Sequence, residues 1–341
     1  MSGKVKYIPM GTTGGWEKVG MKPVIGPEYG TTFDVSVLFD EGIYKMWLSW
    51  RDVRLIAYTE SLDGLKWEHP QAVLTAVPGS DWEGMEVNRP TVVKKDGKYH
   101  MWYTGQMFAL ENQLSRSCIG YAWSDDGIHW ERYGRPVIQP EEKWEKYCTM
   151  CPHVNWDEEE HLFKMWYSGG RMQEADFIGY ATSKDGITWE KYRDNPIFSP
   201  KPENFWEMAR TEACFVQKEK DWYYMFYLAH NGDGNSSINL ARSKDGVTNW
   251  ERHPENPILA GTDGLWDWKG TCKASVIKTD DGYQLWYNAA NNYGEQIGYA
   301  YHKGHDLFPE HIGEKHTERG TPEEFPQAVN FYYHRYNMLK E

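Results

Sequence analysis

The fold is best predicted from one segment, Ser124-Asp125-Asp126-Gly127-Ile128-His129-Trp130-Glu131, because close copies of it recur along the chain. The other copies begin at Ser61, Ser183 and Ser243, about sixty residues apart. Asp-Gly between two apolar runs is a strong signal for a β-hairpin, since a tight turn needs positive φ. The chain is therefore predicted to consist of repeated β units.

Three further series keep the same spacing: a Trp followed by an acidic residue, a strand ending in an aromatic residue, and an Ile-Gly-Tyr-Ala segment. Their members are Trp82, Trp144, Trp206 and Trp266; Trp47, Trp102, Trp166, Phe226 and Trp286; and Ile119, Ile178 and Ile297. Four short strands per unit with aromatic signatures are typical of a propeller blade. No helical period is sustained. The sequence predicts an all-β fold, a five-bladed β-propeller of four-stranded antiparallel blades.

The fifth unit lacks an outer strand at its own end of the chain. Trp16-Glu17-Lys18, followed by Lys22-Pro23-Val24-Ile25, matches the outer strand that begins at Trp130. We therefore expect the N-terminal strand to close the last blade and remove the open sheet edges. Residues 1–302 form one propeller domain in this interpretation. Residues 303–341 are an extension expected to pack on the propeller or on a neighbouring subunit, as in a homo-oligomer.

Composition and charge narrow the class of protein. The 341 residues carry a net charge of −13, which argues against nucleic acid and anionic membranes as partners. Residues 1–10 lack the basic and apolar regions of a signal peptide, and no run of apolar residues is long enough to span a membrane. Five cysteines, an odd number, favour free thiols in a reducing cytoplasm. Cys148 and Cys151 have no second pair to complete a zinc site, so neither a metal nor a cofactor is expected.

One face of a propeller collects the starts of the first strands and the ends of the second strands. Two carboxylates fall there, Asp34 and Glu212. The residues predicted to bind substrate around them are Trp50, Arg51, Glu86, Asn88, Arg89, Gln106, His153, Arg171, Arg210, His230, Asn231, Lys273 and Asn291. Amides and charged groups bond sugar hydroxyls, and an indole stacks on a sugar ring. The alternative is a water-filled axial channel whose charges pair with one another.

Phe33-Asp34-Val35 and Thr211-Glu212-Ala213-Cys214 resemble motifs of the five-bladed β-propeller glycosidases of glycoside hydrolase families 43 and 32. The resemblance covers roughly residues 10 to 302 and implies that Asp34 is base or nucleophile and Glu212 the general acid. It implies cleavage of short oligosaccharides in an axial pocket. The families place another Asp in blade three, where this sequence has Cys151-Pro152. Glu86 is the candidate to take its place.

Two other functions stay open. A likeness to family 130 implies a phosphorylase or transferase, in which phosphate replaces water. Such an enzyme needs a cationic pocket, which Arg51, Arg89, Arg210, His230 and Lys273 could supply. The third interpretation is a carbohydrate-binding propeller without catalysis. A phosphate requirement separates the first two functions, and binding without turnover identifies the third.

Overall fold

The computed structural model describes residues 11–107, 116–171, 175–231, 234–262 and 264–308. Within these ranges the secondary structure is β-strand apart from three 3-10 turns, Pro27–Tyr29, Arg51–Val53 and Phe205–Glu207. After β1 (Trp16–Lys18), the strands fall into five units in chain order. Unit one holds β2 (Thr32–Asp40), β3 (Ile43–Trp50), β4 (Leu55–Ser61) and β5 (Gln71–Thr75). Unit two holds β6 (Glu86–Lys95), β7 (Lys98–Met107), β8 (Arg116–Ser124) and β9 (Glu131–Arg132).

Unit three holds β10 (Cys148–Asp157), β11 (Leu162–Gly170), β12 (Phe177–Ser183) and β13 (Glu190–Lys191). Unit four holds β14 (Arg210–Glu219), β15 (Trp222–His230), β16 (Ser236–Ser243), β17 (Glu251–Arg252) and β18 (Leu259–Ala260). Unit five holds β19 (Gly270–Lys278), β20 (Gly282–Asn291) and β21 (Gly294–Lys303).

The strands of each unit pair antiparallel with their neighbours in sequence. Parallel pairing at Ser117 and Cys148 joins units two and three, and pairing at Ser236 and Gly270 joins units four and five, so three sheets result. The first strands β2, β6, β10, β14 and β19 contact one another in that order, and β19 contacts β2. The all-β class is confirmed, whereas the number of blades and the closure of the ring stay predictions.

The N-terminal strand β1 lies against the last strand of unit five. Trp16 pairs with His302, and Lys18 pairs with Ala300. Lys18 also bonds Asp267 at 2.5 Å. The same contact between a fourth-strand cation and the acidic residue after Trp recurs as Arg132–Glu83 at 2.8 Å, Lys191–Glu145 at 2.8 Å and Arg252–Glu207 at 2.6 Å. Lys18 therefore takes the place of a fourth-strand cation in unit five.

The Asp-Gly hairpins connect each unit to its neighbour. Asp63 accepts the N–H groups of Leu65 and Lys66 at 2.9 and 2.8 Å, as a turn residue does. A tryptophan of the preceding second strand donates its indole N–H to each hairpin glycine carbonyl. These bonds are Trp47–Gly127, Trp102–Gly186, Trp166–Gly246 and Trp286–Gly64, each 2.8 Å long. Asp126, Asp185 and Asp245 accept the corresponding N–H groups, so all four aspartates are turn residues. The bond between Trp286 and Gly64 joins unit five to unit one.

The C-terminal extension begins with contacts on unit four. Leu307 is buried, and Phe308 packs against Tyr224 and His253 with ring centroids 5.9 and 4.7 Å apart. Residues 309–341, on which the predicted packing of the extension depends, lie outside the described residues. The described ranges contain no helix long and apolar enough to cross a membrane. The five cysteines are all described, and all are free.

Candidate active site

Each first strand bulges near its start, where the pairing register shifts by one or more residues. In four units the bulged residue has a left-handed backbone: Asp34 (φ 46°), Arg89 (φ 55°), Cys151 (φ 51°) and Ala213 (φ 44°). That conformation costs a residue other than glycine about 1–2 kcal/mol. Strain of this kind concentrates at functional sites, and a bulge re-aims the side chains beside it.

The neighbouring unit holds each of these bulges in place. A polar side chain at one position of the preceding second strand accepts the N–H of the bulged residue. The pairs are Ser49 with Arg89 (2.7 Å), Thr104 with Cys151 (3.1 Å), Ser168 with Ala213 (2.9 Å) and Asn288 with Asp34 (3.3 Å). Unit four has Leu228 at this position, and Lys273 of unit five has no left-handed backbone. The acceptor and the strained backbone thus occur together.

Asp34 is 5% exposed and lies in a network of polar side chains from unit two. Arg89 Nε is 3.2 Å from Asp34 Oδ2. The Arg89 guanidinium also donates to Asn88 Oδ1 at 2.9 Å, and Asn88 Nδ2 donates to Gln106 at 2.7 Å. The structure therefore brings Asp34, Asn88, Arg89 and Gln106 together, as predicted from the positions of their strands.

Glu212 is equally buried and lies among positive groups. Its Oε1 is 3.2 Å from His230 Nε2 and 3.6 Å from Arg210 Nε, and its Oε2 accepts the Ala175 N–H at 3.0 Å. Burial raises the pKa of this carboxyl, but the His230 hydrogen bond and the Arg210 charge outweigh burial, so the pKa lies below its ordinary value. The resting site thus holds Glu212 ionised, whereas the acid role implied by the resemblance needs a proton.

One guanidinium lies within the electrostatic reach of both carboxylates. Burial lowers the pKa of Arg89, yet that pKa lies above its usual range because Cys151, Asp34, Glu86 and Glu212 all interact with it. Asp34 and Glu212 therefore belong to one charged cluster at the starts of β2 and β14.

Two more carboxylates lie near this cluster. Glu86 is 4% exposed, and its Oε1 has no hydrogen-bond partner among the described residues. Glu295 was not predicted, because the starts of third strands were not considered. Burial and the negative charge of Asp34 raise the pKa of Glu295, Asn288 donates a hydrogen bond to it, and Arg51 lies 3.9 Å away.

Several predicted residues lie at the rim of the mouth. Arg51 stacks over the Phe33 ring at 4.3 Å. Trp50 donates its indole N–H to the Tyr29 carbonyl at 2.6 Å and meets the Tyr29 ring edge-on. Arg171 is half-buried just after β11, the second strand of unit three. Burial lowers the pKa of Lys146, and the positive charge of Arg171 lowers it further.

Two of the three predicted asparagines, Asn231 and Asn291, bond to backbone groups of loops. Asn231 accepts the Asn235 N–H at 3.1 Å. Asn291 donates to the Trp266 carbonyl at 3.0 Å and accepts the Tyr293 N–H at 2.8 Å. These hydrogen bonds fix the loops that surround the mouth.

The structure places His153 and Lys273 elsewhere than at the mouth, where they were predicted. Both line an axial channel of about 770 Å³, together with later residues of all five first strands. Asp34, Arg89 and Glu212 do not line this channel, so His153 and Lys273 face a different space from these three side chains. Burial lowers the pKa of His153 to about 3, so the ring is neutral. Among the described residues, no group of three or more His, Cys, Asp or Glu side chains is arranged to hold a metal ion.

Residues 22–307 match the family model of Glycosyl hydrolases family 43. The chain belongs to this family. It is 27% identical over 228 residues to a 1,2-beta-oligomannan phosphorylase of Thermoanaerobacter sp. (strain X514), a match that covers 64% of this chain and 70% of the relative. It is 26% identical over 279 residues to an A type blood N-acetyl-alpha-D-galactosamine deacetylase of Flavonifractor plautii. The latter match covers 67% of this chain but 35% of the relative.

Solved structures that are similar to this family-43 protein have the same fold. A protein titled glycoside hydrolase superimposes with a TM-score of 0.69 at 22% identity, covering 89% of this chain and 94% of that one. A thermostable family-43 glycoside hydrolase superimposes with a TM-score of 0.65 at 18% identity, covering 86% and 96%.

Proposed function

We propose that this family-43 protein cleaves glycosidic bonds of short oligosaccharides by hydrolysis at the mouth of a five-bladed propeller closed by β1. Asp34 acts as base or nucleophile and Glu212 as general acid. The observation that carries the proposal is the convergence of these two buried carboxylates, from two separate first strands, on the guanidinium of Arg89. Paired carboxylates are the machinery of glycoside hydrolysis.

The acid role requires that substrate changes the surroundings of Glu212. His230 contributes the largest stabilising contact of the ionised form. A sugar hydroxyl that takes the His230 hydrogen bond, and a sugar ring that excludes water, both favour the protonated carboxyl. Protonated Glu212 then donates to the leaving oxygen while Asp34 attacks or activates water.

Glu212→Gln tests the acid assignment. It should lower turnover of a natural oligosaccharide by about two to four decades, the contribution of general acid catalysis. An activated aryl glycoside needs less protonation and should lose less, whereas Asp34→Asn should be impaired on both substrates. Steady-state kinetics on a panel of oligosaccharides and aryl glycosides measures this. Asp63→Asn, at an exposed hairpin, is the matched control and should keep full activity; full turnover by Glu212→Gln contradicts the assignment and makes Glu86 the next candidate.

Phosphorolysis is the second candidate function, supported by the positive groups beside Glu212 and by the similarity to a phosphorylase. Arg89, Arg210 and His230 supply donors for a phosphate anion. Lys273 no longer belongs to this set, because it lines the axial channel. Running the same panel with and without inorganic phosphate decides between the two: turnover that requires phosphate replaces hydrolysis with phosphorolysis. Binding of sugar without turnover under either condition supports the non-catalytic function.

We also propose a cytoplasmic location. The five free cysteines fit a reducing compartment. Thiol titration of denatured protein without reductant should find all five reactive, and a stoichiometric disulfide would contradict this location.

A further inference from the structure

Lys273 is a buried cation that lacks a carboxylate partner among the described residues. Its residue is 2% exposed, and the hydrogen bond of its Nζ is a 3.5 Å contact with the carbonyl oxygen of Pro90. Removing an ammonium group from water costs several kcal/mol unless other groups compensate. The buried ammonium of Lys273 therefore requires a compensating group in its surroundings.

The surroundings of Lys273 are the upper part of the axial channel, just beyond the bulge of β19. Three hydroxyl side chains line the same channel: Ser36 of unit one, Thr91 of unit two and Ser275 of unit five. They are 8%, 4% and 2% exposed, respectively. The Lys273 side chain reaches from unit five to Pro90 of unit two, so it crosses the axis near these hydroxyls.

Each of these hydroxyls has its oxygen occupied and its hydrogen available. The oxygens accept backbone N–H groups of neighbouring units: Ser36 from Val92 (3.0 Å), Thr91 from Val154 (3.4 Å) and Ser275 from Val37 (3.0 Å). A hydroxyl that accepts one hydrogen bond still has its O–H to donate, and no acceptor for these three appears among the described residues. The part of the channel around Lys273 thus offers one ammonium without a carboxylate partner and three O–H donors.

We propose that the axial channel binds a small monovalent anion of the halide class, held by Lys273 Nζ and the hydroxyls of Ser36, Thr91 and Ser275. A monovalent anion balances the single charge of Lys273, because the other lysines that line the channel are already paired with carboxylates. Lys94 lies 2.8 Å from Asp40, Lys218 lies 3.0 Å from Glu159, and Lys278 bonds Glu219. The neutral ring of His153 adds no charge. This site is separate from the mouth and does not depend on the proposed hydrolysis.

Thermal unfolding at constant ionic strength tests the site. Sodium chloride or bromide should raise the Tm of the wild type saturably above its value in sodium isethionate, a control salt whose monovalent anion is an organic sulfonate and not a halide, because a ligand of the folded state stabilises it. Lys273→Met should lose this halide-dependent shift. Lys278→Met removes a lysine from the same strand and channel, but a paired one, and should keep the shift. Equal Tm values of the wild type in the two salts would overturn the proposal, as would an unchanged shift in Lys273→Met.

A second measurement covers the case in which Lys273→Met does not fold. Crystals of the wild type soaked in bromide should show an anomalous peak on the axis within hydrogen-bond reach of Lys273 Nζ, and Ser275→Ala should weaken that peak. The absence of an anomalous peak on the axis of a bromide-soaked crystal would contradict the proposal. Saturable stabilisation by phosphate but not by halide would replace the monovalent anion with a different ligand and would equally refute the assignment.

Discussion

The backbone of the bulged residues positions the side chains of the candidate site. Asp34 and Arg89 are themselves left-handed, and Glu212 immediately precedes left-handed Ala213. Each strained position is held by an acceptor from a neighbouring unit, so the geometry of a first strand depends on the second strand of that unit. A packed neighbour can stabilise backbone strain that a single strand could not keep.

Ser168→Ala tests this dependence. The change leaves the buried N–H of Ala213 without its 2.9 Å acceptor, which should cost about 1–3 kcal/mol of unfolding free energy. Turnover should also fall, because Glu212 is the adjacent residue. Ser168→Thr keeps the hydroxyl, as Thr104 does in unit two, and should restore both. Urea unfolding and steady-state kinetics measure the two effects; loss of stability in both variants would show that packing, and not the hydrogen bond, matters here.

The opposite pKa shifts of two mouth carboxylates predict opposite pH dependences. The pKa of Glu212 lies below its ordinary 4.5, so its stabilising contribution is present above that pH and lost as the pH falls through the folded value. Glu212→Gln should therefore be least stable relative to the wild type at neutral pH, with the gap narrowing in acid. Urea unfolding at several pH values measures the gap.

Glu295 supplies the matched comparison. Burial and Asp34 raise its pKa above 4.5, so the wild type loses this contribution as the pH rises through the folded value. Glu295→Gln should gain stability relative to the wild type on going from acid to neutral pH. Stability gaps that change in the same direction with pH in the two variants would contradict the charge environments described for the site.

At the scale of elements, the tryptophan-to-hairpin bond is the repeated link between units. Trp166→Phe removes the indole donor from the Gly246 carbonyl, a 2.8 Å bond in a fully buried environment. Leaving that carbonyl unpaired should lower the unfolding free energy by about 1–3 kcal/mol. Trp250→Phe is the control, because the indole nitrogen of Trp250 has no partner among the described residues. Similar losses in the two variants, measured by urea unfolding, would show that ring volume and not the hydrogen bond decides.

The elements were largely predictable from the sequence, because the repeat fixes where each strand lies. Asp-Gly turns and aromatic strand ends are local signals, and they placed Asp34, Arg89 and Glu212 on the correct strand starts. The bulge was not predictable, since no local sequence signal marks it and the left-handed residue within it is held by a polar side chain of another unit. For that reason Lys273 was predicted at the mouth, although its side chain enters the channel. Glu295 was missed because the starts of third strands were not considered, and because its neighbour Asp34 lies far away in the sequence.

At the scale of the molecule, the contacts of the first and last units argue for a ring. Trp286 of unit five donates to Gly64 of unit one, and Asn288 accepts the Asp34 N–H. The backbone of Asp34 is therefore held by a residue that lies more than two hundred positions away in the sequence. Bringing together residues so far apart costs less conformational entropy once the units between them are folded, so the candidate site depends on those units as well as on its own strands.

Deleting residues 1–26 tests whether β1 completes that ring. The deletion removes buried Trp16, the Lys18–Asp267 contact and the bridge between Ile25 and Ile297. The outer edge of β21 would then be exposed, and the core between units four and five would lose a tryptophan, a change that alone costs about 3–5 kcal/mol. We expect the truncated protein to lose cooperative thermal unfolding. Deleting residues 1–10 removes none of these contacts and should melt like the full chain. If the protein without residues 1–26 also melts like the full chain, the last unit is completed in some other way and the proposed closure is wrong.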